Sequence, residues 1–217
     1  MTLIVATIMD NISYMICDKM HSIDSADDMP VNATLTTDTG MTINIKAPKI
    51  RINSGTKIYK IGKEEVLVGG AGNLQKVKQY IEFVKEKNTD IINETYSYYS
   101  LQKELAPDQL IILPQKNVGC YFTRLEDKEK IYNNFVNYRY ELVENNIGVI
   151  AIGSGSAIFL NMYDKIRQEL NKSYKEAIEQ NKLEDWIEKL LSRFSEMYKD
   201  ISKYDDGVGS EIEVYKL

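Results

Sequence analysis

Short β-branched and apolar runs broken by turn residues fill the first part of this chain, and two long helical stripes fill its last part. That order leaves few folds open. A strand with one apolar face must bury it, and so must an amphipathic helix, so strands followed by paired helices point to an α+β structure whose sheets are covered by helices. Leu3–Met9 and Ile12–Cys17 are the first two runs, split by Asp10-Asn11, which reads as a tight hairpin. Val31–Thr36 and Met41–Lys46 alternate around Asp38-Thr39-Gly40 as a second hairpin. Lys57–Ile61 and Val66–Val68 follow, joined through the polar turn Gly62-Lys63-Glu64-Glu65.

The glycine-rich Gly69-Gly70-Ala71-Gly72 then leads to Asn73, placed as the N-cap of a helix whose apolar face is Leu74, Val77, Ile81 and Val84. A polar, tyrosine-rich stretch reaches Pro107, and Gln109–Leu113, Val118–Phe122 and Gly148–Ile152 are further strands. Ile158, Phe159, Met162, Ile166 and Leu170 recur at helical spacing, and a longer stripe runs from Leu183 through Trp186, Leu190 and Phe194 to Ile201. Ile212–Leu217 closes the chain as a strand. No linker, repeat or low-complexity segment divides residues 1–217, which are expected to form a single domain.

Hydrophobic residues at 43% and charged residues at 27% are ordinary for a globular protein, and the net charge of −5 disfavours nucleic acid, whose phosphates reward clustered Lys and Arg. The apolar run Leu3–Met9 has no basic segment before it and is too short for a membrane span, so a cytoplasmic protein with no membrane partner is expected. His21, the one histidine, lies in Met20-His21-Ser22, which reads as a polar loop. Cys17 and Cys120 have no CxxC partner and read as buried free thiols. With so few imidazoles and thiols, neither a metal nor a cofactor is expected.

The residue with most chemical meaning is Thr2. Removing Met1 would leave a threonine with a free α-amine, so one residue would hold both a hydroxyl nucleophile and a base whose ordinary pKa lies near ~7.7–8.0. Two other motifs fail their tests. Gly70-Ala71-Gly72 lacks the third glycine of a dinucleotide fingerprint, since Gln75 stands there, although its turn can offer backbone N–H groups to an oxyanion. Gly153-Ser154-Gly155-Ser156 lacks the flanking glycines of a nucleophile elbow and reads as a turn with Ser154 or Ser156 capping the next helix.

Together, Thr2-Leu3-Ile4-Val5, Asp18 after two strands, Gly55-Thr56-Lys57-Ile58, Gly69-Gly70-Ala71-Gly72 and Ala151-Ile152-Gly153-Ser154-Gly155 occur in an order that resembles the proteasome β-subunit superfamily of N-terminal nucleophile hydrolases. The resemblance is greatest to its bacterial HslV-type branch and covers most of the chain. It implies a four-layer αββα sandwich of two antiparallel sheets. It also implies Thr2 as nucleophile, Lys57 facing it, Asp18 paired with Lys57, Gly72 as oxyanion donor, and Ser154 with Asp205 around the α-amine. Gly70, His21 and Tyr59 would lie near the first specificity pocket, deep because position 70 is glycine.

Two features depart from the pattern. The segment from Lys19 to Thr56 is longer than the usual link, and Val208 stands where a serine is usual, with Asp200 competing with Asp205 for the aspartate position. The resemblance therefore implies a threonine peptidase subunit acting on unfolded polypeptides in homo-oligomeric stacked rings, fed by an ATP-dependent unfoldase. A catalytically silent shell subunit and a small-molecule amidase remain as alternatives.

Overall fold

The structure, a computed structural model, describes residues 2–9, 12–23, 33–36, 42–45, 50–53, 57–62, 66–85, 90–125, 134–141, 146–205 and 207–217. Its strands are β1 (Leu3–Ile8), β2 (Ser13–Asp18), β3 (Met20–Ile23), β4 (Ala33–Thr36), β5 (Thr42–Ile45), β6 (Ile50–Asn53), β7 (Ile58–Ile61), β8 (Val66–Ala71), β9 (Gln109–Gln115), β10 (Val118–Leu125), β11 (Asn134–Glu141), β12 (Gly148–Gly153) and β13 (Ile212–Lys216). The helices are α1 (Leu74–Lys85) and α2 (Ile91–Leu101), between β8 and β9, and α3 (Ser156–Glu179) and α4 (Leu183–Ile201), between β12 and β13.

Side-chain alternation along the strands sorts the core into three layers of packing. On β1, Leu3 and Val5 turn toward α3 and α4, where they meet Phe159, Phe194, Met197 and Ile201. Ile4, Ala6 and Ile8 turn the other way and meet Leu67, Ile111 and Leu113 of a second sheet. On that sheet Val66, Val68, Leu110 and Ile112 face out toward Val77, Ile81, Tyr98 and Tyr99 of α1 and α2. The result is the expected α+β order of layers: α3 and α4, a sheet ordered β12-β1-β2-β13, a sheet ordered β11-β10-β9-β8-β7, then α1 and α2. The pairings along both sheets are antiparallel.

The long helical stripe is the buried face of α4, with Trp186, Ile187, Leu190, Phe194, Met197, Tyr198 and Ile201 covered. Edge-to-face contacts of Phe159 with Phe194 (5.1 Å between centroids) and a tilted Tyr174–Trp186 contact (5.1 Å) join α3 to α4. Asn73 does cap α1, its Oδ1 accepting from Gln75 N at 2.9 Å and Lys76 N at 3.3 Å.

Three local expectations are corrected, and one strand, β11, is added. The tyrosine-rich stretch contains α2, capped by Asp90 accepting from Ile92 N, with Ile91, Thr95, Tyr98 and Tyr99 buried at helical spacing. Strand β11 pairs with β10 although its sequence, NFVNYRYE, carries polar residues at four of eight positions. Met20–Ile23 is a strand paired with β6, so His21 lies opposite Ile52 rather than in a loop. Helix α3 begins at Ser156 after Gly155, without a side-chain cap, so neither Ser154 nor Ser156 caps it. Gly155 packs too closely for another residue, since a Cβ there would come within 2.9 Å of Val208 and 3.1 Å of Ile201. Strands β4 and β5 do pair as the second hairpin, while its turn and Asp10-Asn11 lie outside the described residues.

Candidate active site

The register Ile4↔Cys17 places Asp18, the last residue of β2, beside the start of β1. Its carboxylate gathers four donors. Oδ1 accepts from the Thr2 hydroxyl and from Leu3 N, each at 2.8 Å. Oδ2 accepts from Lys57 Nζ at 2.7 Å and from Gly209 N at 3.1 Å. Relative exposures of 0% for Asp18, 4% for Lys57 and 6% for Thr2 put this charged cluster inside the protein. A buried charge survives only when paired and hydrogen-bonded, and here the carboxylate's acceptor sites are taken up by one cation, one hydroxyl and two backbone N–H groups.

Lys57 belongs to the other sheet. It directly precedes β7, and its carbonyl accepts from Gly70 N at 3.4 Å. The Lys57–Asp18 ion pair therefore crosses between the sheets. Burial pulls the Lys57 ammonium below its usual range, and the charge and hydrogen bond of Asp18 oppose that shift. Burial raises the neighbouring Cys17 thiol to about 12 against the influence of Lys57, so it stays protonated at neutral pH. Cys17 and Cys120 are both buried, and neither is in a disulfide.

The backbone around Thr2 is held from two sides. Gly153, paired with Leu3, has φ +95°, and a Cβ there would run into the Thr2 carbonyl. Tyr198, on α4, donates its hydroxyl toward Ile16 O at 3.0 Å and Leu3 O at 3.4 Å. The hydroxyl thus lies at the β1–β2 pair, bonded one residue from Thr2 and two residues from Asp18.

The structure brings Thr2, Asp18 and Lys57 together, and no described side-chain hydrogen bond joins the remaining sequence-derived candidates to them. Gly72 directly follows β8 with φ +107°, and the space a Cβ would need is filled by the Asp108 carboxylate, which also accepts from Asn73 N at 3.3 Å. Gly70 faces the helix layer, where a Cβ would lie 2.6 Å from Val77, and Tyr59 packs against the same cluster. The expectation of a deep pocket opened by Gly70 is corrected accordingly, because α1 fills that side. Of His21 only the backbone pairing is described. Ser154 is exposed. Asp205 accepts from Gly207 N at 2.8 Å within its own turn. Asp200 is a half-exposed helix-end carboxylate paired with Lys203 at 2.6 Å.

Gly209 and Tyr198 were not singled out from the sequence. A backbone N–H leaves no mark on residue choice, so Gly209 had no signal. Tyr198 had one: a tyrosine inside an apolar stripe must find a partner for its hydroxyl.

Among the described residues no group of three or more His, Cys, Asp or Glu is placed to hold a metal ion, and no described helix is long and apolar enough to cross a membrane. The described site is thus a hydroxyl, carboxylate and ammonium cluster between two sheets of an αββα sandwich. No family model matches the chain, and no curated protein matches it. Among solved structures it is similar to eukaryotic HslV from Trypanosoma brucei, with 13% identity and a TM-score of 0.49 over 100% of this chain and 99% of that one. At that identity and score the likeness carries no conclusion about the site.

Proposed function

We propose that this chain is a threonine-type endopeptidase subunit whose nucleophile is Thr2 once Met1 is removed. The observation that supports it is the Asp18 carboxylate bonded both to the Thr2 hydroxyl and to the buried Lys57 ammonium. In this reading the Thr2 Oγ attacks a peptide carbonyl carbon and its proton passes to the α-amine. The amine then protonates the departing nitrogen, leaving an ester on Thr2 that water hydrolyses by the reverse route. Lys57 stabilises negative charge developing on the hydroxyl oxygen, and Asp18 fixes both groups. The β-branched threonine restricts χ1, which helps hold the oxygen on line. Gly72, at the strand-to-helix turn, is assigned the oxyanion donor. Ser154, exposed and directly after Gly153 where β1 meets β12, is assigned the α-amine contact.

The assembly follows from the sequence resemblance: stacked homo-oligomeric rings in the cytoplasm, with an ATP-dependent unfoldase delivering unfolded polypeptide. A second reading, a catalytically silent shell subunit, is favoured by Val208, which is buried where a serine is usual. Intact mass and peptide hydrolysis by the purified chain separate the two. Loss of Met1 together with hydrolysis that disappears in Thr2→Ala supports the peptidase. Retention of Met1 in the mature protein excludes it.

A further inference from the structure

The strand that supports Thr2 from the side, β12, is the edge of its sheet. The N–H of its last residue, Gly153, is taken by a side chain of the other sheet: it donates to Gln109 Oε1 at 2.8 Å. Gln109 opens β9 and is the cross-strand partner of Ala71, the residue before Gly72. Its Nε2 donates to the Tyr121 hydroxyl at 3.4 Å. The amide orientation follows from chemistry, because only the carbonyl end can accept from an N–H.

Gly153 in turn limits where Thr2 can sit. The Cβ position of Gly153 points at the Thr2 carbonyl and lies 3.2 Å from Thr2 Cγ2. The backbone of β12 is therefore one wall of the space holding the threonine methyl, and that methyl sets χ1 and hence where Oγ1 points. A chain of contacts runs from Ala71 to Gln109, across the sheets to Gly153, and on to Thr2.

We infer that Gln109 is a positioning residue for Thr2: its amide ties β12 to the strand end carrying the Gly72 turn and so fixes the nucleophile relative to that turn. The role rests on the peptidase reading. Gln109 touches neither the reacting hydroxyl nor the Asp18 carboxylate in the hydrogen bonds described, so its effect runs through Gly153.

The test uses the mature full chain, a peptidyl vinyl sulfone as hydroxyl-directed electrophile, and three variants. Gln109→Met keeps the volume and removes the acceptor. Gln109→Ala removes both and reads the same property if the methionine variant does not fold. Gln109→Glu keeps an acceptor for Gly153 N. The labelling rate of Thr2 at saturation is expected to fall about tenfold to a hundredfold in Gln109→Met or Gln109→Ala. The concentration for half-saturation should hold, and Gln109→Glu should remain close to the wild type. Wild-type labelling in Gln109→Met and Gln109→Ala overturns the inference, and so does a loss in Gln109→Glu as large as theirs. If the wild type, with Met1 removed, is not labelled at Thr2, the peptidase reading itself fails and the positioning role falls with it.

Discussion

The space between the two sheets is equally dry at two places that are held by different physics. In one, Ile4, Ala6, Ile8 and Met15 pack on Leu67, Ile111 and Leu113, all completely covered. In the other, Thr2, Asp18 and Lys57 are almost as covered but carry a charge of each sign. The apolar place is redundant: each methyl group contributes a little and neighbours can relax around its loss. The charged place is singular, because removing one partner leaves the other buried and unpaired. Similar burial therefore gives unequal tolerance, and the less tolerant place is the one the proposed reaction would use.

That contrast can be broken at graded strength. The largest effect belongs to Thr2→Ala, which should reduce peptide hydrolysis by about a thousandfold or more while the thermal melt stays near that of the wild type. Activity equal to wild type would remove Thr2 as nucleophile. Next comes Lys57→Met, which strands the Asp18 carboxylate. It should destabilise the fold by about 3–5 kcal/mol in urea titrations and abolish hydrolysis, and adding Asp18→Asn should recover part of that stability. A double variant whose loss equals the sum of the two singles would show that the pair is not coupled. Ile111→Val, in the apolar region, should cost only about 0.5–1.5 kcal/mol and leave turnover unchanged. A fall in turnover as large as that of Lys57→Met would erase the distinction between the two places.

The smallest expected effect is in pH dependence. Lys57 is lowered by burial, so between its folded value and 10.5 the unfolded chain holds more protons and stability rises with pH. Asp18, Cys17 and Glu213 oppose the lowering and narrow that window. Urea midpoints across the alkaline range should show this slope in the wild type and lose it in Lys57→Met. Hydrolysis should decline over the same window as the ammonium discharges, and a wild-type slope preserved in Lys57→Met would assign it to another group.

The residues themselves made the α+β class and the chemistry of Thr2 legible, whereas the four-layer order and the pairing of Asp18 and Lys57 with Thr2 came from the resemblance. Alternating β-branched runs and a one-sided stripe are direct records of burial, and a threonine behind the initiator methionine has a chemical meaning before any fold is known. Helix α2 was hidden because, beyond Ile91, its buried face is made of Thr95, Tyr98 and Tyr99, residues whose polarity masks the period. Strand β11 was hidden because its sequence mixes Asn and Arg with aromatics. The placement of Gly70 was misread because strand alternation decides which side of β8 a glycine opens, and that side is filled by Val77. Backbone donors such as Gly209 N are invisible to any reading of side chains.

The four donors on Asp18 come from widely separated stretches of the chain, and this has a consequence during synthesis. Thr2, Leu3 and Asp18 leave the ribosome early, Lys57 follows, and Gly209 arrives only after α3 and α4 have been made. A partly translated chain therefore holds its hydroxyl and carboxylate without the full set of groups that orient them. Completion of the cluster is a late event, timed by the arrival of the segment that enters β13.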